Sequence, residues 1–85
     1  KKLIKNTNLE KIDSNGNTPL LLASKEGRLT MVKQLIKFGS NIHHKNNNGE
    51  DFYDIAINRY AFINRVKDWI EQKYPEFIMS KKYNL

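Results

Sequence analysis

Three positions of this 85-residue chain return at one interval: Asp13 as Asn46, Gly16 as Gly49 and Ala23 as Ala56, each 33 residues later. Self-similarity at that spacing belongs to stacked structural repeats, in which one unit cannot bury its apolar side without a neighbour. Asn8 and Leu9 anticipate Asn41 and Ile42 at the same offset. Leu3-Ile4 anticipates Leu35-Ile36 at 32, which makes the first loop one residue shorter. That periodicity limits the fold more tightly than composition does.

Local chemistry then says what each unit contains. Asn15-Gly16 supplies a tight turn, because glycine adopts positive φ without steric cost. Thr18 is placed to cap a following helix, and Pro19 fits the first helical position, where its missing N–H is not needed. Leu20, Leu22 and Ala23 are expected to begin the buried face of a helix running from about Pro19 to Lys25 and stopped near Gly27. A second helix is expected over about Leu29–Phe38. Its residues Met31, Val32, Leu35 and Ile36 have the spacing of one buried stripe. Gly39 is the expected left-handed cap. Ser40 to Asn48 reads as the next loop, anchored inward by Ile42 and tipped by Asn46-Asn47-Asn48-Gly49.

Taken in order, Asp13, Gly16, Thr18-Pro19-Leu20, Ala23, Gly27, Val32, Leu35-Ile36 and Gly39 resemble an ankyrin repeat. Leu21 stands where that family often has histidine. The resemblance runs over about residues 3 to 74, sharp in the middle and weaker in the last unit. It implies an all-α ankyrin-repeat solenoid: helix-turn-helix pairs with projecting β-turn or hairpin loops, about two repeats plus a partial N-terminal one. The expected division is 1–12 as the end of an upstream repeat, 13–45 as a repeat, 46–74 as a C-terminal capping repeat and 75–85 as a tail. The chain opens at Lys1, inside what reads as a helix, and so reads as a piece of something longer.

The last unit has changed character. Asp51-Phe52-Tyr53 replaces Thr-Pro-Leu, yet Asp51 remains a good helix cap and Asp54-Ile55-Ala56 resembles the Asp-x-Ala variant of terminal repeats. The final helix is expected from about Ala61 to Tyr74. Phe62, Ile63, Val66, Trp69, Ile70 and Tyr74 share one arc of it, and Asn64, Arg65, Asp68, Glu71 and Gln72 form a polar outer side suited to a cap. Pro75 stops that helix. Phe77, Ile78, Met79, Tyr83 and Leu85 in the tail leave two alternatives open, folding back or anchoring a partner.

Composition bounds the function. A chain this short buries only roughly 60% of its unfolded surface, so it is marginal alone. It has no cysteine, hence no disulfide and no thiolate metal site, which fits a reducing, intracellular and most simply cytoplasmic setting. No apolar run approaches the roughly 18 residues of a membrane span. The net charge of +6 is spread along the chain without interleaved aromatics, so a solvated surface is a better reading than a nucleic-acid platform. His43-His44 lacks a ligand partner at metal spacing and reads as loop surface. Asp13, Asp51 and Asp54 each have a structural task, and no nucleophile–base arrangement exists. No catalytic site, metal, cofactor or small-molecule substrate is expected.

The resemblance implies a protein-interaction scaffold whose contacts come from the projecting fingers and the exposed side of each first helix. Carried over by position, the first finger offers Ile12, Ser14, Asn15 and Asn17, and its helix Lys25 and Glu26. The second finger offers Lys45, Asn47, Asn48 and Glu50, and its helix Asn58 and Arg59. The alternatives are a segment packed permanently inside a larger assembly and, behind it, a basic nucleic-acid surface.

Overall fold

In a computed structural model, residues 9–59 and 63–83 are described, the side chains of 80–83 excepted. Expectations for Lys1 to Asn8, Ala61, Phe62 and Leu85 lie outside those residues, as does the Tyr83 side chain. Five helices follow in order: α1 (Pro19–Glu26), α2 (Leu29–Lys37), α3 (Phe52–Ile57), α4 (Arg65–Lys73) and α5 (Glu76–Tyr83). There is no strand among the described residues.

The helix starts follow from their caps. Thr18 is extended (φ −81°, ψ 169°) and its hydroxyl accepts the Leu21 N–H, with Pro19 in the first turn. Asp51 accepts the Asp54 N–H at 2.9 Å while its own N–H donates to the Asp54 carboxylate at 3.0 Å, a reciprocal capping box. Gly39, at φ 110°, closes α2: its N–H reaches Ile36 O and the Ser40 N–H reaches Leu35 O, both at 3.0 Å.

Two helix pairs stack. α1 lies against α2 and α3, and α2 and α3 each meet α4. The shared core takes Leu20, Leu21 and Ala23 from α1, Val32 from α2, Phe52, Tyr53 and Ala56 from α3, Val66 and Ile70 from α4, and Phe77 from α5. Ile42 packs against it as the expected anchor. Lys33 Nζ stands 5.7 Å from the Trp69 ring centroid, a cation–π contact from α2 to α4.

Five expectations change. Leu21, not Leu22, joins Leu20 and Ala23 inside: α1 is covered on two sides, by α2 and α3, and Leu22 points away from both contacts into a hollow it shares with Pro19, Met31 and Leu35. Met31 leaves the buried stripe for the same reason, at 43% exposure. The last long helix begins at Arg65 rather than Ala61, because Asn64 is its cap. The Asn64 amide accepts the Lys67 N–H at 3.1 Å and donates to Ala56 O at 2.7 Å, tying the end of α3 to the start of α4. Ile63, placed in the apolar arc by sequence, precedes that cap and is 61% exposed; Tyr74 ends the helix, and Trp69 is half-buried instead of core.

The tail is not an extended appendage. Residues 76–83 form α5, and Phe77 folds back at 5% exposure against Phe52, Tyr53, Tyr74 and His43, with ring centroids 5.5 to 6.1 Å away. Met79 stays exposed.

Candidate functional site

The two turns have the same hydrogen bonds one period apart. In the first, Asp13 N–H donates to Asn17 O and Gly16 N–H to Asp13 O, at 3.1 and 3.0 Å. In the second, Asn46 N–H donates to Glu50 O and Gly49 N–H to Asn46 O, at 3.0 and 2.9 Å. The side chain at the head of each turn accepts two backbone N–H groups: Asp13 Oδ1 from Asn15 and Asn17, Asn46 Oδ1 from Asn48 and Glu50. Those bonds stabilise the Asp13 carboxylate and, with the Asn17 N–H as the largest contribution, hold its pKa below the ordinary value.

The turns are also bonded to each other. Asn47 N–H donates to Asn15 O at 3.0 Å, the Asn47 amide to Ser14 O at 3.2 Å, and the Asn46 amide to Asn17 Oδ1 at 2.9 Å. His44 Nε2 lies 2.9 Å from Gly16 O, while His43 stacks on Phe77. Both histidines on the loop are therefore occupied structurally, His44 at the turn junction and His43 against the tail.

Between the turns and the inner helices runs an open groove of about 390 Å³. Seven of the twelve residues carried over from sequence line it: Asn15, Asn17, Lys25, Asn48, Glu50, Asn58 and Arg59. Asn46 and Ile55 complete the lining and were missed, although Asn46 is the period partner of Asp13 and so carried a signal.

Two of the seven do a different job from the one expected. Asn17 does not project; it is 7% exposed and its amide oxygen holds Asn46. Arg59 is half-buried and its Nη1 donates to Lys25 O at 2.9 Å, so the second repeat caps the last turn of α1 in the first. A cation there opposes the negative end of the helix dipole. Gly27 is required for this clasp. It sits at φ 73°, and a Cβ on it would lie 2.6 Å from the Arg59 guanidinium.

The other five fall elsewhere. Ile12, 53% exposed, lines a separate apolar hollow with Pro19 and Leu22. Glu26 pairs with Arg28 at 2.7 Å. Ser14 and Asn47 bond each other at the tips, and Lys45 is exposed before the second turn. Away from the groove, buried Tyr53 donates to Glu71 at 2.6 Å; burial, then that bond, pushes its pKa up.

The family model described as "Ankyrin repeat" matches residues 15–47. The chain is similar to Alpha-latroinsectotoxin-Lt1a of Latrodectus tredecimguttatus, 43% identical over 53 residues, or 62% of this chain and 4% of that protein. It is also similar to the "DNA replication inhibitor plutonium" of Drosophila melanogaster, 36% identical over 78 residues, or 89% of this chain and 44% of that protein. The chain thus spans less than half the length of either relative. The matched segment holds the end of the first turn, α1, α2 and the start of the second turn, where the hydrogen-bond pattern begins to repeat, and this segment belongs to the ankyrin-repeat family.

Proposed function

We propose that this chain is a protein-interaction module that holds a partner protein in the groove between its two turns. Ankyrin repeats are generally protein–protein interaction modules, and the groove supports that use here. Its walls are fixed by the turn-to-turn hydrogen bonds and the Arg59 clasp, so little backbone entropy is lost when a ligand settles. The observation that carries the reading is the set of unspent polar groups around it. Among the described residues, the amides of Asn15, Asn48 and Asn58 and the ammonium of Lys25 have no side-chain hydrogen-bond partner or ion pair. Projecting hydrogen-bonding groups on a rigid frame suit a polar protein surface.

No helix among the described residues is long and apolar enough to cross a membrane. The proposal sets the module inside the cell, where a cysteine-free chain needs no oxidising environment.

A second reading is favoured by the other side of α1. Ile12, Leu22, Met31 and Leu35 form a continuous apolar surface with Pro19. A chain packed permanently in a longer stack or assembly would cover that surface, with residues 1–12 belonging to an upstream repeat, and 13–45, 46–74 and 75–85 following as repeat, capping repeat and closing tail.

Photo-crosslinking separates the two. A photoreactive residue at Asn58 reports the groove, and one at Met31 reports the apolar side. Crosslinks to a separate protein from position 58, lost on alanine substitution of Asn15 and Asn48, are the expected result. Crosslinks from position 31 alone would move the contact to the apolar side and leave the groove without a partner.

A further inference from the structure

We infer that the groove takes an acidic segment of its partner, a stretch of chain carrying Asp or Glu carboxylates; this rests on the groove being the partner site. Arg59 has five N–H donors and uses Nη1 on Lys25 O. The Lys25 ammonium has no carboxylate within ion-pair distance among the described residues. Asn15, Asn48 and Asn58 add amide donors without intramolecular acceptors.

Among the described residues the lining holds one carboxylate, Glu50, and it is partly engaged. Glu50 Oε1 receives the Asn46 amide at 2.9 Å, Asp13 Oδ1 receives two backbone N–H groups, and Glu26 is paired with Arg28. The described lining thus sets two cations, Lys25 and Arg59, against the single carboxylate of Glu50, and both cations keep unspent donors. A ligand that satisfies such a lining must bring acceptors and negative charge. Phosphate would also satisfy it, but among the described residues no aromatic side chain lines the groove on which a base could stack, and half-buried Ile55 in the lining favours a peptide's aliphatic atoms.

The test is a titration of the isotopically labelled 85-residue chain, followed by nuclear magnetic resonance, with a blocked peptide of alternating Glu and Ser. Its Gln counterpart and a single-stranded oligonucleotide serve as the other two probes. The Glu peptide is expected to shift the Lys25 and Arg59 backbone signals and the Asn15, Asn48 and Asn58 side-chain amides saturably. Binding should weaken about two- to fivefold in Lys25→Gln, which leaves the Arg59 clasp untouched. It should also weaken as salt rises from about 0.05 to about 0.5 M.

Equal shifts from the Gln peptide would overturn the acidic preference while leaving the groove as a peptide site. Tighter groove binding of the oligonucleotide would overturn it in favour of phosphate. Shifts centred on Lys11 or Lys37 would reduce it to general charge attraction. Failure of the underlying reading looks different: no probe shifts the groove, and position 58 yields no crosslink.

Discussion

The two turns share a backbone frame and differ in the residue that heads it. Asp13 can only accept, and it spends one carboxylate oxygen on the Asn15 and Asn17 N–H groups. Asn46 accepts the same pair one period later, and its NH₂ also donates to Asn17 Oδ1 and Glu50 Oε1, both at 2.9 Å. Asp13 therefore serves its own turn alone, whereas Asn46 is the hub that joins both turns and one wall of the groove. Burial follows the same division, with Asp13 exposed and Asn46 buried. One backbone pattern serves two purposes, and the choice of amide over carboxylate decides which.

The glycines of the two turns give the largest test of that contrast. Both have positive φ, 80° at Gly16 and 78° at Gly49, so a β-branched residue is strained at either. A Cβ on Gly16 would also meet Asn47 Oδ1 at 2.6 Å and the Asn47 backbone N at 3.0 Å, while one on Gly49 meets nothing within 4 Å. Gly49→Val should cost about 1–3 kcal/mol from strain alone. Gly16→Val should cost about 1–3 kcal/mol more, because the second turn must move. Urea denaturation of both variants measures the gap, and equal losses would show that the turns are not in fixed contact.

Exchanging the head residues comes next. Asn46→Asp removes two donated hydrogen bonds in a buried place and sets a carboxylate beside Glu50, for an expected loss of about 2–3 kcal/mol. Asp13→Asn keeps the accepting oxygen and should be far milder. A symmetric result in thermal melts would deny the second turn its role as hub.

The helix starts extend the comparison at smaller scale. Thr18 Oγ1 is 3.4 Å from the Leu21 N–H, a long bond, while Asp51 makes two reciprocal bonds at 2.9 and 3.0 Å. Asp51→Ala should therefore destabilise by about 1–2 kcal/mol and Thr18→Ala by about 0.5–1 kcal/mol, read from denaturation midpoints.

The smallest expected effect is one of pH. The folded pKa of Asp13 lies below its ordinary value, so its contribution is present above the unfolded pKa and disappears as pH falls through the folded one. Asn46 does not titrate. Melting the wild type and Asp13→Asn between neutral pH and about pH 3 should show a slightly shallower acid loss in the variant, since one titrating carboxylate is gone. Identical slopes would mean that Asp13 keeps its bonds in the unfolded chain or lacks them in the folded one.

Much of this fold is legible in the sequence alone. The Gly16 turn, the Thr18 and Asp51 caps, Pro19 in the first helical turn and the closing Gly39 all depend on a few neighbouring residues, and each stands where expected. Seven of the residues carried over by position line one groove, because the period puts equivalent residues of successive units on one side. The misreadings share a cause. Leu21, Leu22, Met31 and Ile63 are all apolar at plausible helical positions, and periodicity alone does not say on which sides a helix has neighbours. Asn17 looked like a tip residue until Asn46 was found beside it, 29 positions along the chain.

By itself, then, the sequence determined the unit: its length, its turn, its helix starts and stops, and the family it belongs to, because turn and cap chemistry is settled within about one helical turn of chain. Tertiary structure decided what the units do to one another. It turned Arg59 from a surface cation into a clasp on α1, made Asn46 the joint between turns, and folded residues 76–83 into a helix whose Phe77 closes the aromatic cluster. The physical reason is that burial and hydrogen-bond satisfaction depend on which atoms arrive from distant positions, and stacking brings residues about one period apart into contact.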